Sequence, residues 1–191
     1  MRLLLLGGSF NPVHWGHLVL AEELREEFSY DLVLLVPAAR PPHKELPSGG
    51  ASPEERLEML ALAVAGNPCL AVDGCELERP GASYTIDTVR GLKARYPLEG
   101  KPGLALGDDL APGFKDWREP EALAREADLV VARRGGGAFD LPYPCRLASN
   151  RLIPLSSSEL RERAARGRSL RYLVPEAVRE YIYAKGLYGA R

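Results

Sequence analysis

Short apolar runs recur along the chain, at Leu3 to Leu6, Leu32 to Val36, Leu70 to Val72, Leu104 to Leu106 and Leu129 to Ala132, with a weaker one at Leu152 to Leu155. Runs this brief, flanked by turn residues, predict strands buried on both faces, as in a parallel sheet. Between and after them, helical patterns predict helices from about Trp15 to Phe28, Pro53 to Ala65, Thr85 to Tyr96, Pro120 to Glu126, Ser157 to Ala165 and Pro175 to Lys185. The second helix is the best marked. Ser52 is an N-cap, Pro53 occupies the first helical position, Glu55 completes a capping box, Leu57, Leu60 and Val64 supply an apolar stripe, and Gly66 ends it.

The order βαβαβαβ, then a helical tail, predicts a Rossmann-like, doubly wound α/β fold: a mainly parallel sheet flanked by helices. The expected organisation is one domain over residues 1–191, with a C-terminal helical part from about 156 to 191. In such sheets ligands bind beyond the carboxyl ends of the strands, so the residues just after each strand carry the functional expectation. The segment from Pro37 to Ser52 reads as a functional loop joining adjacent elements, and Gly135-Gly136-Gly137 as a second loop.

Composition narrows the partners. A formal net charge of -1 leaves no basic excess to drive nucleic-acid binding, so any positive site for phosphate must be local. Cys69, Cys75 and Cys145 are odd in number and scattered, which fits neither a disulfide framework nor a closed zinc site and points to a reducing, cytoplasmic setting. No apolar stretch approaches the roughly 18 residues of a membrane span. The run Leu3 to Leu6 is followed by Gly-Gly rather than by a signal-peptide core, so it reads as a strand.

The junction after the first run concentrates the chemistry: Gly7-Gly8-Ser9-Phe10-Asn11-Pro12-Val13-His14-Trp15-Gly16-His17. Gly7 and Gly8 let the chain turn and let a ligand approach, and the following helix start offers free N–H groups and a positive dipole end to an anion. His14 and His17, two of the three histidines, are three residues apart and project from nearly the same side of a helical turn. Gly16 between them removes a side chain, which is expected to leave room for a base or ribose.

His14-Trp15-Gly16-His17 resembles the HxGH signature of the nucleotidyltransferase superfamily, and Gly7 to Leu18 resembles the corresponding stretch of bacterial nicotinate-nucleotide adenylyltransferases. Further matches follow in family order: Pro41-Pro42-His43-Lys44, Ser83-Tyr84-Thr85, Gly107-Asp108-Asp109, Trp117, and Ser156-Ser157-Ser158-Glu159-Leu160-Arg161. The resemblance implies that Gly7, Gly8, Ser9, Phe10, Gly16, Gly107, Asp109, Arg134, Ser156, Ser157 and Ser158 bind ATP, and that Ser83, Tyr84, Thr85 and Trp117 hold the nicotinate nucleotide. Ser156 and Glu159 also form an S-x-x-E capping box, so a purely structural role for the serines stands beside the binding one. Trp117, between Asp116 and Arg118, reads equally as a packing residue or a stacking platform. Two positions depart from the family pattern: Asp108, where a neutral residue is usual, and Gly135, where proline commonly follows the arginine pair.

The implied reaction joins ATP and nicotinate mononucleotide into nicotinate adenine dinucleotide and pyrophosphate. The nucleophile is a phosphate oxygen already ionised at pH 7, so the expected mechanism is in-line attack without a general base or covalent intermediate. His14 and His17 would donate to phosphate oxygens while Lys44 and Arg161 hold the leaving pyrophosphate. Mg²⁺ is expected to arrive with ATP rather than in a carboxylate cage. A nicotinamide-mononucleotide-preferring or other HxGH adenylyltransferase, and a non-catalytic nucleotide sensor, stay open as alternatives. The absence of a basic patch and of an anticodon-binding extension disfavours an aminoacyl-tRNA synthetase fragment.

Overall fold

The computed structural model describes residues 1–40, 50–135 and 140–191. Six strands, β1 (Leu3–Gly8), β2 (Leu32–Pro37), β3 (Leu70–Val72), β4 (Gly103–Gly107), β5 (Asp128–Ala132) and β6 (Cys145–Leu147), form a sheet in the order β3-β2-β1-β4-β5-β6. All five pairings are parallel. The helices are α1 (Trp15–Glu27), α2 (Pro53–Val64), α3 (Thr85–Arg95), α4 (Pro120–Glu126), α5 (Ser157–Ala165) and α6 (Glu176–Ala184). The expected doubly wound α/β fold is the fold observed.

Alternate residues of each strand explain the continuous apolar runs. Leu4, Leu6, Val33 and Leu35 pack with Leu18, Leu24, Met59, Leu60, Leu160, Val178 and Ile182, so α1, α2, α5 and α6 cover one face. Leu3, Leu5, Leu34 and Val36 pack with Ile86, Val89, Leu92, Phe114 and Leu123, which places α3 and α4 on the other. The chain moves outward from β1 to β2 to β3, then returns to set β4 beside β1. Strand order therefore reverses between β1 and β4, and the crevice at their carboxyl ends is the place this topology offers a ligand.

Two details differ from the sequence reading. Leu152 to Leu155 is not a strand; β6 is Cys145–Leu147 instead. Past Ala148, whose N–H still donates to the Val131 carbonyl, the backbone N–H groups of Ser149 and Arg151 are taken by carboxylates of α1, Glu27 and Glu23, and Pro154 has none to offer. The buried side of α2 is also shifted: Arg56, Met59 and Leu60 are buried, whereas Leu57 and Val64 are only half-buried. An arginine thus occupies the core-facing stripe.

Leu34 is fully buried in β2. Leu34→Ala should lower unfolding stability by about 3 kcal/mol through lost transfer energy and a residual cavity. Urea denaturation monitored by circular dichroism reads this as a reduced midpoint, and a loss under about 1 kcal/mol would contradict tight packing on that face.

Candidate active site

β1 ends in Gly7 and Gly8 and leads into a turn that reaches α1 at Trp15. A Cβ on Gly8 would stand 3.0 Å from the Phe10 ring, which is buried beneath the turn with a positive φ of 45°. A side chain at 8 would press on that buried ring. Gly7 faces open space, leaving the backbone approachable.

The carbonyl oxygens of this turn are captured by other elements. Ala38 N–H donates to Gly8 O at 2.9 Å, Arg56 Nη1 to Ser9 O at 2.8 Å, Arg161 Nη1 to Asn11 O at 2.7 Å, and Ser157 Oγ to Pro12 O at 2.9 Å. The Tyr188 hydroxyl donates to the Asn11 side-chain oxygen at 2.7 Å. A carbonyl engaged by a donor from within the fold presents less negative charge to an incoming anion, so these bonds leave the turn compatible with a bound phosphate.

His14 is the N-cap of α1 and only 4% exposed; His17 lies one turn on, with ring centroids 3.8 Å apart. His17 Nδ1 accepts the His14 backbone N–H at 3.3 Å. In a neutral ring this leaves the proton on Nε2, available to donate to a ligand. Burial, then the Arg134 charge, lowers the His14 pKa to about 4. Burial, then His14, then Arg134, holds His17 well below the ordinary histidine range. Both rings are neutral donors at pH 7. A Cβ on Gly16 would stand 3.0 Å from the His14 imidazole, so its smallness also accommodates that ring.

The carboxyl end of β4 completes this side. A Cβ on Gly107 would collide with the side chains of Asp109 and Arg134, which form an ion pair at 3.3 Å, each about half exposed. Asp108, the departure from the family pattern, accepts the backbone N–H groups of Arg134 and Gly135 at 2.9 and 3.0 Å. It shapes the turn that carries Arg134. Gly135 provides an N–H that a proline would lack, so the two departures meet in one hydrogen bond. Asn150 adds a second anchor, its side chain pairing with both the N–H and the carbonyl of Arg133.

Ser156 caps α5 by accepting the Glu159 N–H at 3.2 Å. Ser158 Oγ accepts from Arg161 Nη2 at 3.0 Å within α5, and the bonds from Arg161 to Asn11 O and from Ser157 to Pro12 O dock the start of this helix against the β1–α1 turn. Ser83, Tyr84 and Thr85 lie at the start of α3, on the opposite face of the sheet. Ser83 Oγ accepts the N–H groups of Ala39 and Arg40 at 3.0 and 3.2 Å, beside a cleft of about 480 Å³ bordered by Arg40, Glu54 and Arg79. Tyr84 is half-buried under the Arg118 guanidinium, 4.6 Å from its ring. Trp117 is half-buried, with its ring 5.2 Å from that of Phe114. His43 and Lys44 lie outside the described residues, as do Gly136 and Gly137.

Two groups of residues therefore gather at the carboxyl edge. His14, His17, Asp109, Arg134 and Arg161 meet around the β1–α1 turn, while Ser83, Tyr84 and Trp117 gather by α3 and the 3-10 turn Ala111–Asp116. The sequence reading missed Arg56 and Tyr188. Arg56 had a signal: a charge at the position where α2 needs an apolar side chain. Tyr188 had none, because only the folded chain brings it to Asn11.

A parallel α/β sheet with an anion-ready helix start at its switch point defines a nucleotide-handling fold. The chain belongs to the cytidylyltransferase-like family, whose model matches residues 5–163. It is 41% identical over 203 residues to the probable nicotinate-nucleotide adenylyltransferase of Treponema pallidum, covering 98% of this chain and 99% of that one. The protein of the same name from Dictyoglomus thermophilum is 40% identical, with 98% and 100% covered. The fold superposes on Plasmodium falciparum nicotinic acid mononucleotide adenylyltransferase complexed with NaAD, with a TM-score of 0.78, 20% identity, and 100% and 98% covered.

The lowered histidine pKa has a sign. A His14 that titrates at about 4 when folded and at 6.5 when unfolded contributes stability that is complete above pH 6.5 and is lost as pH falls through about 4. NMR titration of the free protein should place the His14 Cε1 proton midpoint at about 4. A midpoint at 6.5 would mean that the ring is solvated.

Proposed function

We infer that this chain transfers the adenylyl group of ATP to nicotinate mononucleotide, giving nicotinate adenine dinucleotide and pyrophosphate in NAD biosynthesis. The observation that carries the reading is the neutral His14–His17 pair at the N-terminus of α1, in a chain that aligns end to end with nicotinate-nucleotide adenylyltransferases. The acceptor phosphate oxygen attacks the α-phosphorus in line, and the bond to the β-phosphate bridge breaks. The α1 N-terminus and the His17 Nε2–H stabilise charge as it moves toward the leaving pyrophosphate. His14, sealed beneath Gly16, orients its neighbour and donates beside it.

Arg161 and Lys44 are assigned to the pyrophosphate, and Arg134 and Asp109 to the nucleotide. Gly7, Gly8 and Gly107 keep the backbone open and compact around it, with Ser9, Phe10, Gly16 and Ser156–Ser158 shaping the pocket. Ser83, Tyr84, Thr85 and Trp117 are assigned to the nicotinate side. Nucleotidyltransferases typically use a divalent metal with ATP, and Mg²⁺ is the ion proposed here. The ion is proposed to arrive on the ATP phosphates, with Asp109 able to accept from its water. When bound, the ion neutralises phosphate charge.

Residues 1–191 are proposed to act as one nucleotidyltransferase domain, supported by the packing of α5 and α6 into the same core as α1 and α2. A cytoplasmic setting is supported by three free cysteines. Among the described residues no helix is long and apolar enough to cross a membrane.

Pyrophosphate release should be seen with ATP and nicotinate mononucleotide, and be weaker with nicotinamide mononucleotide at equal concentration; release with neither would reject the reading. His17→Ala should lower kcat by about 10² to 10³, the range for loss of a transition-state hydrogen-bond donor, while the melting temperature changes little. Near-normal turnover would remove His17 from the mechanism.

A further inference from the structure

Arg56 is a cation with 0% exposure. It sits one turn into α2, and the only hydrogen bond of its guanidinium among the described residues is from Nη1 to Ser9 O; Nε and Nη2 have no partner there. No carboxylate lies within ion-pair distance of it among the described residues, and burial lowers its pKa. Around it, the Asn11 Nδ2 donor is likewise buried and unpartnered, while the Tyr188 hydroxyl is spent on Asn11 Oδ1. A buried, unpaired guanidinium is a costly choice for stability alone, since an apolar side chain of similar volume fills such a site as well or better. Its position explains the choice: it underlies the turn between Gly8 and His14, where the substrate brings a triphosphate.

We propose that Arg56 is a positioning residue for ATP, fixing the β1–α1 turn through the Ser9 carbonyl while its buried charge, which has no ion-pair partner among the described residues, is balanced by the bound triphosphate. Arg161 performs the matching capture at Asn11 O from the other side of the turn. The two guanidiniums hold the turn between them, from helices far apart in sequence. Unlike Arg161, whose second Nη bonds Ser158, Arg56 keeps donors in reserve, so the arrival of negative charge gains more at its site. The inference rests on ATP being the nucleotide bound, and its experiment reads ATP binding separately from turnover.

The test compares wild type with Arg56→Met and Arg56→Lys, by thermal denaturation with and without Mg-ATP and by steady-state kinetics. Arg56→Met should melt at or above the wild-type temperature without ligand, yet show a smaller ATP-induced rise. Its KM for ATP should increase roughly tenfold, the loss expected for one hydrogen bond from a charged donor, with the acceptor KM within about twofold of wild type. Arg56→Lys, which keeps the charge, should recover most of the ATP response. If Arg56→Met does not fold, Arg56→Gln, which keeps a donor for Ser9 O without the charge, takes its place. A neutral variant whose ATP-induced shift and ATP KM match wild type, with only its ligand-free melting temperature altered, would overturn the proposal. Failure of the wild-type enzyme to release pyrophosphate would instead reject the functional reading and leave the ATP-binding comparison standing.

Discussion

The structure depends on how the carbonyl oxygens of one turn are disposed of. Between Gly8 and His14 the chain leaves β1 at the point where the strand order reverses, and the oxygens of Gly8, Ser9, Asn11 and Pro12 are each claimed by a donor from outside the turn. Each capture stabilises the fold modestly, at about 1 kcal/mol net for an ordinary hydrogen bond and more for a charged donor. Their combined effect is to fix one conformation of the turn, because α2, α5 and the segment after β2 each hold one or more of its carbonyls.

This arrangement also accounts for the state of the histidines. Imidazoles that are buried, pressed against each other and near an arginine do not hold a proton at neutral pH, so in the proposed mechanism the pair acts through neutral N–H donors. A neutral donor suits a site already supplied with fixed cations. Protonated rings beside Arg134 and Arg161 would bind triphosphate tightly before reaction as well as during it, and interactions felt equally by substrate and transition state do not accelerate chemistry.

Much of the fold could be read from local chemistry. Ser52-Pro53 and Ser156 mark helix starts because a cap is a short-range interaction, and the Leu and Val runs mark central strands because burial on both faces removes alternation. β6 escaped because an edge strand of Cys, Arg and Leu has no such run, while Leu152 to Leu155 has the apolar residues but lends its neighbours' N–H groups to α1 carboxylates. In the site, the His14–His17 spacing was visible because helical geometry is local. The burial of Arg56, the grip of Asp108 on the Arg134 turn, and the use of Gly16 to seat an imidazole were not, because each is decided by a backbone or ring that only tertiary structure brings close.

The hydrogen bond from Tyr188 to Asn11 joins residues 177 positions apart. The turn is therefore shaped by a residue that the linear chain holds far from it, and local unfolding of the segment around Tyr188 would release Asn11 as well, coupling the order of that segment to the order of the turn.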